Sequence, residues 1–280
     1  MIKDVVALVD GSAGDSVPLE HAERIARVFD ANLTALYLNV LPDVLIAGQS
    51  TLSPIAIDEV KATSKRMGAA VATRLSARLE GEGVPAELRH VDVADGELWD
   101  LVSSASRAAD LLVARHPSPG GVRPQWRSVA EAALFGSARG IYFAECPPGP
   151  GPMFQSVVVA WDSSHSATRA LNEAMPFLQK AQRTLIVTVD EAGTPEVGEM
   201  RLQDKDLARH LARLGVTTTH RRVTAVGRSV SEVLVEEIAV ANADLLVMGA
   251  YGHSRVREWI FGGVTCDFLT HSPVPVLMAR

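Results

Sequence analysis

Gly249, Gly252, Gly262 and Gly263 lie within one short stretch, GAYGHSRVREWIFGGVT, after an apolar run and before a Pro-containing ending. A glycine at a strand end permits φ > 0 and lets backbone N–H groups approach an anion with no Cβ in the way. If a helix starts near Gly262 and Gly263, its unbonded N–H groups and positive end face the same anion. Thr265 adds a hydroxyl donor a short step away. Together these groups can hold a pyrophosphate or triphosphate through backbone dipoles, with little need of lysine. The competing reading of the spacing is a turn at Gly249 and Gly252, with Gly262 allowing close helix–sheet packing.

Other residues carry chemistry of their own, each with a plainer role beside it. His253 can meet a phosphate or move a proton, but no carboxylate at a fixed spacing orients it, and a solvated loop histidine is the simpler reading. Arg255 and Arg257 can add charge to a phosphate or lie on a helix surface. Asp162 can accept a hydrogen bond from a base, hold Mg²⁺, or cap the following helix, with Ser164 competing for that cap. Trp161 can stack on a base or belong to the core. Asp10 suggests a phospho-acceptor of the receiver type, but such sites cluster further acidic residues and place a lysine at the last strand, and the sequence shows neither. His271 and Ser272 read as a helix end and a turn. Cys146 and Cys266 stand far apart with no CxxC and read as two buried or incidental thiols. No Ser/His/Asp or Cys/His set is evident, so strong catalysis is not expected.

The elements that must position these residues follow from periodicity. SVVVAWD is a continuous apolar run of the kind found in strands buried on both faces. SATRALNEAMPFLQK places Ala167, Ala170, Leu171, Ala174 and Leu178 at helical spacing. TLIVTVD reads as a second strand, and EMRLQDKDLARHLARLG as a helix ending at Gly215. VTTTHRRVTA is rich in β-branched residues and reads as a third strand. SVSEVLVEEIAVANA begins with a capping box, Ser229 and Glu232. DLLVMGA is a fourth strand, SRVREWIFGGVTCDFLTHS a helix, and VPVLMA a last strand. This alternation predicts a parallel sheet with helices on both faces. Ligands of such sheets sit beyond the carboxyl ends of the strands, which places Asp162, Asp190 and Gly249 on one rim.

The chain of 280 residues repeats itself. VVALVDGS (Val5–Ser12) matches VVVAWDSS (Val157–Ser164), and AADLLVAR (Ala108–Arg115) matches NADLLVMG (Asn242–Gly249). EAALFGSARGIYFAECP (Glu131–Pro147) aligns with REWIFGGVTCDFLTHSP (Arg257–Pro273). The seam is the Pro/Gly stretch Cys146–Met153, which can be neither helix nor central strand. Two domains follow, 1–147 and 154–280. In the first, Arg115 stands in the place of Gly249, prolines interrupt the following loop, and Gly120 and Gly121 are the candidates for rebuilding an anion nest. A degenerate site is the simpler reading. Its fifth strand reads as short or absent, because Pro147 runs straight into the seam. The first copy also carries a long apolar-rich insertion, Asn39–Ala62, suited to a lid, an apolar pocket, a pairing surface, or a cover for its own sheet edge.

A composition of 47% hydrophobic and 21% charged residues fits a chain with a real core. A net charge of −6 argues against nucleic-acid and anionic-membrane partners. No apolar stretch reaches the roughly 18–20 residues of a membrane span, and MIKDVVALVDGS does not read as a signal peptide.

On these residues the second half resembles a universal stress protein domain, and the whole chain resembles the tandem members of that family. The family pattern, Gly-x2-Gly-x9-Gly-(Ser/Thr), is met by Gly249, Gly252 and Gly262, with Gly263 where Ser or Thr is usual. Asp10 and Asp162 and the VPVLM ending extend the likeness. The resemblance implies two Rossmann-like α/β domains of the adenine nucleotide alpha hydrolase type, each with a five-stranded parallel sheet in the order 3-2-1-4-5. It implies one site for ATP or another adenine nucleotide, with Mg²⁺ as an optional companion. The implied binding residues are Ala160, Asp162, Val189, Met248, Gly249, Gly252, Gly262, Gly263, Val264 and Thr265. Asp162 and the backbone near Val189 would meet the adenine end, and the glycines and Thr265 the ribose and phosphates. It implies a cytoplasmic stress-response regulator with an unidentified protein partner, the halves forming a pseudo-dimer and two chains able to form a homodimer. At most it would be a weak ATPase. A non-nucleotide interaction module, or a binder of a small apolar ligand, is the alternative on the same fold.

Overall fold

Val5–Val9 and Val157–Val159 are almost wholly shielded from solvent, as strands covered on both faces require. Each run is the central strand of the parallel set in its own unit. The computed structural model describes residues 1–42, 54–81, 83–117, 125–191, 202–251 and 263–280, which divide into two compact units, Met1–Arg139 and Gly140–Arg280.

In the N-terminal unit, β1 (Asp4–Val9) is followed by α1 (Ser16–Phe29), β2 (Asn32–Leu41), α2 (Pro54–Leu79), β3 (Ala86–Ala94), α3 (Leu98–Arg107), β4 (Leu111–Arg115) and α4 (Gln125–Gly136). Its strands lie in the order β3-β2-β1-β4, all parallel. α1 ends where Asp30 turns left-handed at φ 51.

The C-terminal unit contains β5 (Ile141–Ala144), β6 (Ser156–Ala160), α5 (His165–Leu178), β7 (Arg183–Glu191), α6 (Leu202–Arg213), β8 (Thr218–Ala225), α7 (Val230–Ala241), β9 (Leu245–Gly249), α8 (Gly263–Thr270) and β10 (Val276–Ala279). From β8 to β10 the order is β8-β7-β6-β9-β10, parallel throughout, which is the predicted 3-2-1-4-5 arrangement. The capping box is present as read: Ser229 Oγ accepts from Glu232 N at 3.1 Å and Glu232 Oε2 accepts from Ser229 N at 2.7 Å. Gly215 takes φ +81 just beyond α6.

The strand expected to be short or missing is β5, and it is as long as β10. It runs antiparallel to β10, with Val276 opposite Phe143 and Met278 opposite Ile141. The aligned repeats hid it. Setting Gly136 against Gly262 put Ile141–Ala144 opposite a helix, since α4 ends at Gly136 whereas α8 continues to Thr270. A left-handed Ala138, φ 57, turns the chain straight from α4 toward β5.

The two units share devices at both ends of their first strands. Asp110 Oδ2 accepts from Lys3 N and Asp4 N at 2.7 and 3.1 Å. Asp244 accepts from Gln155 N and Ser156 N at 2.7 and 3.2 Å. Past the strands, Ser12 N donates to Asp10 Oδ1 and Ser164 N to Asp162 Oδ1, each at 2.9 Å. The residue between is left-handed in both, Gly11 at φ 81 and Ser163 at φ 61.

Candidate functional site

β6 delivers Asp162 to the carboxyl rim of the C-terminal sheet. After Ala160 the ladder continues for one bond, Trp161 N to Val187 O at 2.8 Å, and the chain then turns through Ser163. Ser164 Oγ accepts from Ala167 N at 3.1 Å and is the cap of α5. Asp162 instead holds the turn by accepting from Ser164 N.

β9 reaches the same rim at Gly249, whose lack of a side chain is required by packing. A Cβ there would stand 2.5 Å from Ala167 N and 2.6 Å from the carbonyl carbon of Ser166, in the backbone of α5's first turn. α8 then brings Gly263, Val264 and Thr265, its first described residues, to the same rim. Thr265 is 4% exposed, and its Oγ1 accepts from Tyr251 N at 3.1 Å, tying α8 to the segment after β9.

These elements enclose a cleft of about 550 Å³, inside the ~300–1,000 Å³ range of small-molecule sites. Ala160, Asp162, Val189, Met248, Gly249, Gly263, Val264 and Thr265 all line it. Gly252 and Gly262, with His253, Arg255 and Arg257, lie outside the described residues. Sequence reasoning did not single out Val187, Val230 and Leu234, which complete the apolar wall, and it left Trp161 undecided between cleft and core. Val230 and Leu234 come from the first turns of α7, where the capping box fixes the helix start and their spacing puts both on one face.

Asp190, expected on the rim, serves a different network. Arg222 Nη1 donates to its two carboxylate oxygens at 2.8 and 2.9 Å, while Nη2 donates to Asp204 Oδ2 at 2.7 Å. This joins β8 to β7 and α6. Neither cysteine forms a disulfide and both are exposed, which fits the incidental rather than the buried of the two readings. His271 lies 3.7 Å from Glu145, and Ser272 Oγ donates to Val274 O at 2.6 Å in the turn before β10. Among the described residues no group of three or more His, Cys, Asp or Glu is placed to hold a metal.

The equivalent rim of the N-terminal unit is filled by its own side chains. Trp126, on α4 and 7% exposed, donates through Nε1 to Asp10 Oδ2 at 3.1 Å. Arg115, in the place of Gly249, lays its guanidinium against Gly14, where a Cβ would come 2.5 Å from Nη1. From α2, Val71 packs against Gly11 and Arg74 Nη2 donates to Gly11 O at 3.2 Å. α2 thus covers its own unit's rim; residues 43–53 of the insertion, and Gly120 and Gly121, lie outside the described residues.

Asp10 also has the acidic neighbour that the sequence reading denied it. Asp15, 2% exposed, accepts from Asp10 N at 3.1 Å and Gly11 N at 2.7 Å. Burial, followed by the charge of Asp10, pushes the Asp15 carboxyl up to about 7, against the two backbone donors that pull it down. A short 3₁₀ turn, Ala13–Asp15, brings the two together. No helix among the described residues is long and apolar enough to cross a membrane.

Comparison with known proteins adds to this geometry. Residues 153–280 match the model of the Universal stress protein family, so the C-terminal half carries a domain of that family. A universal stress protein from Synechocystis sp. is 49% identical over 37 residues, a stretch spanning 13% of this chain and 13% of that protein. The chain is similar in fold to a universal stress protein from Archaeoglobus fulgidus, with a TM-score of 0.74 and 20% identity over 99% of this chain and 98% of the other. A functionally unknown protein from Pseudomonas aeruginosa gives 0.60 and 13% over 99% and 92%. At these identities the structural likeness speaks to the α/β fold, which spans the whole chain.

Proposed function

We propose that the C-terminal unit binds ATP or a related adenine nucleotide in the cleft beyond β6, β7 and β9, and that occupancy regulates a stress-response interaction. The observation that carries this reading is the convergence of Asp162, Gly249 and the α8 residues Gly263, Val264 and Thr265 on one cleft of ligand size. Asp162 offers an acceptor for a base, and the Gly263 backbone, unobstructed by a Cβ, and the Thr265 hydroxyl offer approach and a donor for phosphate on the same wall. The N-terminal unit is, on this reading, a diverged copy in a tandem arrangement, and the protein acts in the cytoplasm. Hydrolysis, if any, is slow and Mg²⁺-dependent.

Titration calorimetry with ATP tests it. Among the described residues nothing lies within 4 Å of a Cβ built on Gly263, so Gly263→Trp reaches the cleft wall without a clash with them at its base. Wild type should release heat on binding and Gly263→Trp should not; equal heats from both would sink the reading. The same open position allows Gly263→Ser, which supplies the hydroxyl that the universal stress protein pattern usually has there. One added hydrogen bond of roughly 0.5–1.5 kcal/mol predicts ATP affinity about two- to tenfold tighter than wild type in the same titration.

A second reading is favoured by the wall itself. Val187, Val189, Val230, Leu234, Met248 and Val264 are apolar, and Asp162 is the one charged residue among the described lining. A small apolar ligand fits such a wall. Mass spectrometry of gently purified protein separates the two, since a co-purified adenine nucleotide supports the first and a lipid or other apolar molecule the second.

A further inference from the structure

Trp126 does in the N-terminal unit what a bound ring would do. Its indole is planar and heteroaromatic, it is buried at the carboxyl rim, and its N–H points at Asp10 Oδ2. Asp10 occupies the position in its unit that Asp162 occupies in the other, since both close the same turn with the same 2.9 Å bond. The indole arrives on the connection from β4 to β5, the counterpart of the β9–β10 connection that lines the C-terminal cleft. Ser12 Oγ, buried at the same turn, has no hydrogen-bond partner among the described residues.

We propose that the rim of the N-terminal unit is a binding site for a planar heteroaromatic ring bearing an N–H donor, occupied in this chain by its own Trp126. The site has a flat occupant and an acceptor, Asp10, held in place by Ser12 N. Charged groups of the described neighbouring elements stand at the same turn: Asp15 after β1, Arg115 at the end of β4 and Arg74 on α2. Because the indole fills the space, the wild-type unit takes up no second ring. The proposal concerns the N-terminal unit alone and stands whether or not the C-terminal cleft binds ATP.

The test removes the occupant from the full chain and returns it as a free molecule. Buried cavities left by deleted rings can bind small aromatics. Trp126→Gly should bind one more equivalent of indole per chain than wild type does, measured by calorimetry. Benzothiophene, close in shape but without the N–H, should bind at least tenfold more weakly, because the bond to a carboxylate is lost. Adding Asp10→Ala should make the two probes equal. Trp126→Phe, which refills much of the volume, should take up no extra indole. If Trp126→Gly alone does not fold, indole should restore its thermal transition while benzothiophene should not. A folded Trp126→Gly that gains no indole site, an unfolded one that indole fails to restore, or equal affinity for the two probes overturns the proposal. ATP titration of the wild-type chain, in which Trp126 fills the N-terminal rim, reads the C-terminal cleft separately, so the two readings fail independently.

Discussion

Raising the pH from 5 to 8 should weaken the N-terminal unit by about 3 kcal/mol through Asp15 alone. The carboxyl of Asp15 sits at about 7 in the folded chain against its usual 3.8. Between those values the folded state holds a proton that the unfolded chain has released. Stability from this group is therefore complete below about 4, falls as pH rises toward 7, and is constant beyond. The cause is local: two carboxyls, Asp10 and Asp15, share one turn away from water, and both cannot be charged there without cost. Urea titrations at the two pH values, read by hydrogen exchange on β1 peptides, measure the effect. Asp15→Asn has no proton to lose and should remove most of the difference; an unchanged pH slope in that variant would refute the assignment.

Gly249→Ala is expected to be the most damaging single methyl at the described glycines of the C-terminal unit. Its Cβ would lie inside contact distance of the α5 backbone at Ser166 and Ala167, which cannot swing aside as a flexible side chain would. Either α5 moves away from β9 or the strand end shifts, and overpacking of this kind costs about 1–3 kcal/mol, sometimes more. The same movement displaces the Ser164 cap and Asp162 next to it, so ATP affinity should fall with the thermal midpoint. Gly263→Ala is the matched control, since its Cβ meets none of the described residues. Equal midpoints for the two variants would show that the close approach at Gly249 is not limiting.

The C-terminal sheet was legible because its signals are local. Val157–Val159 announce a buried strand, Ser229 and Glu232 a helix start, and Gly215 a helix end, each by chemistry within a few residues. The β5 strand was obscured for the opposite reason: its partner is β10, far along the chain, and a repeat alignment carries no record of where a helix stops. At the candidate site, the turn residues and glycines could be read directly, while Val187, Val230 and Leu234 look like ordinary core positions until the cleft is closed around them. Asp15 had a faint signal, two glycines around a short polar turn that lets a carboxylate fold back on Asp10. Trp126 had none, because only the fold brings it to Asp10 from the other end of the unit.

The antiparallel pairing of β5 with β10 has a consequence for synthesis. β5 leaves the ribosome before nearly all of the C-terminal unit, yet its partner follows roughly 130 residues later, a long loop to close. At ~5–20 residues per second, one hydrogen-bonding edge of β5 waits several seconds or more for β10. Its sequence, Ile-Tyr-Phe-Ala, is apolar and rich in β-forming residues, the kind of edge that joins another chain when left unpaired. The prolines and glycines that follow at once, Pro147 to Pro152, interrupt that run and keep the exposed stretch short while the rest of the unit is made.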